Sequence, residues 1–154
     1  HYVASDLLGA EVNFKSPIEK GISGHCCRGS KLTYHENVYI PHGDLMSNTA
    51  YRVGGCEVIY EKKVNESAAY MAEFSKIVFK GDAGKGCAWE ARDCDVYVYA
   101  DVADDFGKYA RNSKFYSPNL DTLKKINWSK YLDYNGCSFY LLDKNDNTKE
   151  VHLR

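Results

Sequence analysis

Residues 94–102 read CDVYVYADV, and the order of their side chains decides the fold class. Successive side chains of an extended strand point to opposite faces. Val96, Val98, Ala100 and Val102 therefore share one face, and Asp95, Tyr97, Tyr99 and Asp101 share the other. One apolar face and one polar-aromatic face describe a half-solvated strand of an antiparallel sheet.

Neighbouring segments repeat that reading. CEVIYEKKV (56–64) alternates, with Cys56, Val58 and Tyr60 on one side and Glu57, Ile59 and Glu61 on the other. FSKIVFK (74–80) is rich in β-formers, GDAGKG (81–86) is a turn cluster, and CAWEAR (87–92) runs back as the second arm of a hairpin. Asn135-Gly136 favours a type I′ turn between KYLDY and CSFYLLD. Asn145-Asp146-Asn147 then turns the chain into a last strand, TKEVHL. Residues 1–50 are punctuated by glycine and proline and read as irregular, with short strands at AEVNF and at NVYI, before Pro41.

Helix signals are few. Ser117-Pro118 fits a cap followed by proline at the first helical position, and Leu120, Leu123 and Ile126 continue at helical spacing. NESAAYMAEF (65–74) predicts two more helical turns capped by Asn65. The expectation is an all-β fold: an antiparallel β-barrel or sandwich of about seven or eight strands with one or two short helices. No repeat, linker or domain break is visible, so residues 1–154 read as a single domain.

A chain of 154 residues is long enough to bury a core. The net charge of −1 gives no support to bulk binding of nucleic acid or of a membrane surface. No apolar run is long enough to predict a membrane-spanning helix. Thirteen tyrosines suit half-buried strands and wet binding surfaces, where the ring packs while the hydroxyl stays bonded.

The six cysteines are Cys26, Cys27, Cys56, Cys87, Cys94 and Cys137. An even number over a small chain predicts a disulfide framework. The adjacent Cys26 and Cys27 are expected to anchor two different bridges, since a bridge between neighbours strains the peptide. Free thiols are the second reading. Metal binding is the third, because no CxxC pair offers zinc-ligand spacing and only His25 adjoins a cysteine. Asn65-Glu66-Ser67 and Asn127-Trp128-Ser129 are glycosylation sequons, and a start at His1 is expected of a processed, secreted protein.

Charge separates in the second half. Residues 90–105 are acidic, while residues 107–130 carry Lys108, Arg111, Lys114, Lys124, Lys125 and Lys130 among Tyr109, Phe115, Tyr116 and Trp128. Lys108, Arg111, Lys114, Lys124 and Lys125 form the candidate partner-binding surface, against the simpler reading of two solvated surfaces that offset each other. Asp101, Asp104 and Asp105 suggest a cation loop but too few oxygens for calcium. DKNDN (143–147) starts like an EF-hand loop and fails at Thr148 and Arg154. His35, Glu36, Glu57, Arg92 and His152 are residue types that a small ribonuclease would use, in no recognisable signature. No catalytic residue, cofactor site or metal site is assigned.

The start HYVASDLLGAEVNF, the GHCCRG doublet, the six-cysteine layout and the tail NDNTKEVHLR resemble the host-selective necrotrophic effectors of the fungus that causes nodorum blotch of wheat. Cysteine-rich apoplastic avirulence effectors of leaf-infecting fungi are similar in size. The first resemblance implies secretion into the host apoplast after removal of a signal peptide and of a pro-domain cut by a kexin-type protease. It implies a β-barrel-like fold tied by three disulfides. It also implies genotype-specific cell death through host plant proteins: a susceptibility-gene product, direct or indirect, and a pathogenesis-related defence protein. It brings no catalytic residue. The alternatives are a secreted hydrolase such as a ribonuclease, or a carbohydrate-binding module.

Overall fold

In a computed structural model, which describes residues 2–42, 47–128 and 136–153, the chain winds as a parallel β-solenoid. The strands are β1 (Tyr2–Val3), β2 (Glu11–Phe14), β3 (Ile22–Ser23), β4 (Lys31–Tyr34), β5 (Asn48–Thr49), β6 (Glu57–Tyr60), β7 (Val64–Glu66), β8 (Lys76–Phe79), β9 (Ala83–Lys85), β10 (Asp95–Val98), β11 (Lys114–Ser117), β12 (Ser138–Leu142) and β13 (Thr148–Val151). Among the described residues there is one helix, α1 (Leu120–Trp128), between β11 and β12. Eight strands form the main sheet in the order β13-β12-β11-β10-β8-β6-β4-β2. From β2 to β12 every pair is parallel.

The register exposes a repeat. Glu57, Lys76, Asp95 and Lys114 stand side by side, with equivalent residues 19 apart along the chain. The two earlier coils are longer, with offsets of 20 and 26 residues. Each coil sends two side chains of its main strand inward. Leu32, Val58, Ile77, Val96, Phe115 and Phe139 form one buried column. Phe14, Tyr34, Tyr60 and Phe79 form the other, stacked with ring centroids 4.4, 4.8 and 5.0 Å apart. Such stacked pairs add about 0.5–1.5 kcal/mol each beyond the burial of their area.

The corners recur as well. Ala4, Gly24, Ala50, Ala69, Ala88 and Gly107 hold one left-handed position in successive coils. Asp6, Cys26, Arg52, Met71, Glu90 and Tyr109 hold a second, and Gly9, Gly29, Gly55, Phe74, Asp93, Asn112 and Gly136 a third. A side chain at positive φ costs about 1–2 kcal/mol, so these corners persist only because neighbouring coils hold them. Bonds from Met71 N–H to the Trp89 carbonyl (2.8 Å) and from Glu90 N–H to the Lys108 carbonyl (2.8 Å) are of that kind.

A ladder of small polar residues precedes the main strands: Ser30, Cys56, Ser75, Cys94, Ser113 and Cys137. The Ser30 N–H donates to Cys56 Sγ (3.5 Å), the Cys56 N–H to Ser75 Oγ (3.1 Å) and the Cys94 N–H to Ser113 Oγ (3.2 Å). From Ser30 to Ser113 each hydroxyl or thiol in turn donates to the carbonyl two residues back, as Ser75 does to Glu73 (2.8 Å) and Cys94 to Arg92 (3.2 Å). Buried backbone groups at the corner are thereby satisfied.

Several expectations are overturned. The fold is neither an antiparallel barrel nor a sandwich. Alternation reports that one face is wet, and in a solenoid the wet face belongs to a parallel sheet whose chain returns around the core. Residues 1–50 are not irregular but contain β1–β5. Residues 65–74 continue from β7 into turns instead of a helix, and residues 81–86 contain β9 in place of a hairpin turn. NVYI contributes only the bridge at Val38. All six cysteines are free thiols, so no disulfide framework ties the fold. Within the ladder, serines separate Cys56, Cys94 and Cys137 by two coils each, about 9–10 Å at the usual strand spacing, beyond disulfide reach.

Other expectations hold. β12 and β13 form the antiparallel hairpin around residues 143–147, where Asp143 Oδ1 accepts the N–H groups of Asn145 (2.8 Å) and Asn147 (2.9 Å). Those bonds hold the Asp143 carboxyl below its ordinary range. The helix after Ser117 is present, but its cap is Asn119, whose Oδ1 accepts the Asp121 N–H at 2.9 Å. Leu123 and Ile126 enter the core. The turn at Asn135-Gly136 falls partly outside the described residues.

Candidate functional site

The outward face of the main sheet is built by the same register. Glu11, Lys31, Glu57, Lys76, Asp95 and Lys114 form a column of alternating sign. Lys31 approaches Glu57 at 3.5 Å. Two residues along, Ile59, Val78, Tyr97, Tyr116 and Tyr140 form the next column. Tyr97 and Tyr116 stack at 4.3 Å with ring planes 5° apart, and Tyr116 and Tyr140 at 5.0 Å. The Tyr116 hydroxyl donates to Asp95 at 3.2 Å. Lys76 lies 5.2 Å from the Tyr97 ring centre and Lys114 5.9 Å from that of Tyr140.

The tyrosine stack ends at β10. On the next strand Val78 and then Ile59 take the equivalent positions, and both are smaller than tyrosine. The outer side of the Tyr97 ring therefore borders a groove of about 580 Å³, lined by Ile59, Lys76, Val78, Lys80, Tyr97, Tyr99 and Asp146. Asp146 comes from the β12–β13 turn. Burial, with the negative field of Asp95 and Asp146, raises the hydroxyl pKa of Tyr97. Burial, with Asp146, does the same for Tyr99. Both hydroxyls stay protonated at neutral pH and can donate. Lys80 is held toward Glu61 at 2.8 Å. Concave volume, apolar floor, aromatic walls and a few polar groups at the rim are the ordinary ingredients of a ligand site.

A second aromatic column runs along a corner. His25 stacks on Tyr51 at 5.1 Å, Tyr51 meets Tyr70 at 5.6 Å, and Tyr70 meets Trp89 edge-on at 6.1 Å. Lys108 ends the column 5.0 Å from the Trp89 ring centre. The hollow beside it, about 480 Å³, is lined by Lys85, Trp89, Ala103, Asp104, Asp105 and Lys108.

The basic residues expected to form one surface stand on different elements. Lys108 sits on the corner column, and Arg111 bridges beside Arg92 at another corner. Lys114 lies on the wet face of the main sheet, and Lys124 and Lys125 lie on α1. Lys125 approaches Asp101 at 3.5 Å and Asp104 at 3.7 Å, so the acidic and basic segments meet as neighbouring solvated surfaces there. The residues weighed for nuclease chemistry are also spread. His35 bonds Asn13 (2.8 Å), Glu36 pairs with Lys62 (2.6 Å), and Arg92 with Glu73 (3.9 Å).

The cysteine doublet divides between outside and inside. Cys26 occupies an outward corner, and Cys27 points into the core beneath Ala4, to whose carbonyl its thiol donates at 3.0 Å. Burial raises the thiol pKa of Cys27, takes Cys87 to about 12 and Cys94 to about 11. Asn65, the first sequon, is committed within the fold: its side chain accepts the Ile40 N–H and donates to the Ile40 carbonyl, both at 2.6 Å. The side chain of Asn127 lies outside the described residues.

The groove was missed from the sequence. The available signal was tyrosine at 97, 99 and 116, that is, on the wet side of one strand and again one coil later. No protein family, curated protein or solved structure matches the chain.

Proposed function

We propose that the protein is a binding module for a neutral polysaccharide laid along the wet face of the main sheet. The observation that supports it most is the groove bordered by the open side of the Tyr97 ring. A pyranose offers a C–H face that packs on an aromatic ring and hydroxyls that bond at its edge. Tyr97 and Tyr99 supply the ring surface, Ile59 and Val78 the apolar floor, and Lys76, Lys80 and Asp146 the polar rim. The rim carries both signs, which favours hydroxyls over a strongly charged ligand. Regular strand spacing then extends the surface along Tyr116 and Tyr140, as a polymer requires.

The test is retention on immobilised neutral glycans, with Tyr97→Ala and Tyr99→Ala beside the parent protein. Retention that both substitutions weaken by about tenfold, or about 1.4 kcal/mol, supports the reading. Folded protein that no glycan retains, or retention indifferent to both changes, removes it.

The effector reading rests on sequence resemblance. That resemblance implies a disulfide-tied barrel, and a solenoid with six free thiols gives it no support. It ranks second. Infiltration of the protein into leaves of several wheat genotypes tests it, and cell death confined to some genotypes would restore it to first place.

A further inference from the structure

We propose that Asp6, His25 and Cys26 form a binding site for a divalent transition-metal ion, zinc by chemical class. The coil register brings these distant positions together, with their potential ligand atoms all within 4.8 Å of one another. Cys26 Sγ lies 3.7 Å from His25 Nε2. Zinc takes sulfur at about 2.3 Å and nitrogen at about 2.0–2.1 Å, so two tetrahedral ligands on one ion stand about 3.5 Å apart. The thiol and the imidazole are already at that separation. Asp6 is exposed, and its carboxylate closes the remaining distance by rotating.

The backbone prepares the arrangement. Asp6 (φ 56°) and Cys26 (φ 54°) occupy the same left-handed corner in consecutive coils. The Asp6 N–H donates to the His25 carbonyl at 2.8 Å, and the Cys26 N–H to the Tyr51 carbonyl at 2.8 Å. Stacking on Tyr51 orients the imidazole. Nothing in the corner itself calls for cysteine, since the equivalent residues are Arg52, Met71, Glu90 and Tyr109. The other five cysteines all serve inner columns or the Ser/Cys ladder, and Cys26 alone stands at an outward corner.

Thiolate, imidazole and carboxylate together suit zinc, and three protein ligands leave a fourth position for water. The ion would also fasten the coil of Asp6 to the coil of Cys26. Local spacing in the sequence does not limit such a site, because the coil register brings Asp6 to His25 and Cys26.

The test is titration of reduced, chelator-treated full-length protein with Co²⁺, followed by displacement with Zn²⁺. The expected result is one equivalent bound, with a thiolate-to-cobalt charge-transfer band that Zn²⁺ removes and a melting temperature that Zn²⁺ raises. Cys26→Ser abolishes the band, and His25→Ala and Asp6→Asn each weaken binding by about tenfold or more. Cys27→Ser, which alters the neighbouring inward thiol, keeps the band. Absence of the band in the parent protein overturns the proposal. So does a band that survives Cys26→Ser. If Cys27→Ser does not fold, the other three variants still decide. Glycan retention does not enter these readouts, so this proposal and the polysaccharide reading fail separately.

Discussion

Tyr97 lies flat against Tyr116, 4.3 Å away and 5° from parallel, although 19 residues of chain separate them. One full coil returns the backbone to the same place one strand further on. The stack is therefore a direct product of the repeat, and its end at Tyr97 creates the groove.

The hydroxyl and ring of Tyr97 can be separated. Tyr97→Phe keeps the stacking surface and is expected to retain most glycan affinity. Tyr97→Leu keeps apolar volume but loses the flat ring, and its affinity should fall toward that of Tyr97→Ala. Equal affinities for Phe and Leu, measured by isothermal calorimetry, would count against ring stacking.

Free thiols make two predictions about redox behaviour. Adding reductant should leave the melting temperature unchanged, where a three-disulfide protein would lose several kcal/mol. Under native conditions a thiol reagent should modify Cys26 first, with Cys27, Cys87 and Cys94 slow because they are buried and their thiols hold their protons. Peptide mapping after brief alkylation reads this directly. Rapid labelling of Cys87 in folded protein would contradict the structure.

Gly84 permits a close approach between coils. A Cβ there would stand 1.7 Å from the Asn65 carbonyl oxygen. Gly84→Ala must push β9 away from β7 and should cost about 1–3 kcal/mol, read by chemical denaturation. An unchanged midpoint would show that the two strands are not so close.

Asn65 is expected to remain unglycosylated when the chain is produced through a secretory pathway. Its Oδ1 and Nδ2 are both held on the backbone of Ile40, and a glycan would have to join that same Nδ2. Asn65→Ala should destabilise the protein by about 1–3 kcal/mol, because it leaves backbone groups of Ile40 without partners. Full occupancy of Asn65 in folded protein, seen by mass spectrometry, would refute this.

Stability should fall at alkaline pH. Burial raises the pKa values of Tyr34 and Tyr60 well above 10, and those of Cys94 and Cys87 to about 11 and about 12 from 9.0. The folded state then binds more protons than the unfolded chain above pH 9, so unfolding becomes easier as pH rises. The stabilisation is complete below about pH 9 and is lost progressively through about pH 12. Ultraviolet titration should show two tyrosines ionising only with unfolding. Smooth ionisation of all tyrosines in folded protein would contradict the burial of Tyr34 and Tyr60.

Much of the local structure was legible. Alternation located the strands at 57–60 and 95–98, β-forming residues located that at 76–79, and the helix and the last hairpin were readable from apolar spacing and turn residues. The repeat was concealed because its coils share few identities. Only a small residue before each strand and apolar inward positions recur, and the longer early coils break the period. Thirteen of the left-handed corner residues bear ordinary side chains, eight of them from Ala69 to Asn112 and five earlier at Ala4, Asp6, Cys26, Ala50 and Arg52, so glycine did not mark them all.

By itself, the sequence determined which side chains of the strands at 57–60 and 95–98 face the core and which face water, because that follows from the two-residue period of an extended chain. The tertiary structure alone decided strand direction, the fate of the cysteines and the composition of the candidate sites. Those depend on which residues one turn of the coil brings side by side: Tyr97 beside Tyr116, serine between cysteines, and Asp6 beside His25 and Cys26. Such contacts are set by the length and corner geometry of the coil, which no local stretch of sequence contains.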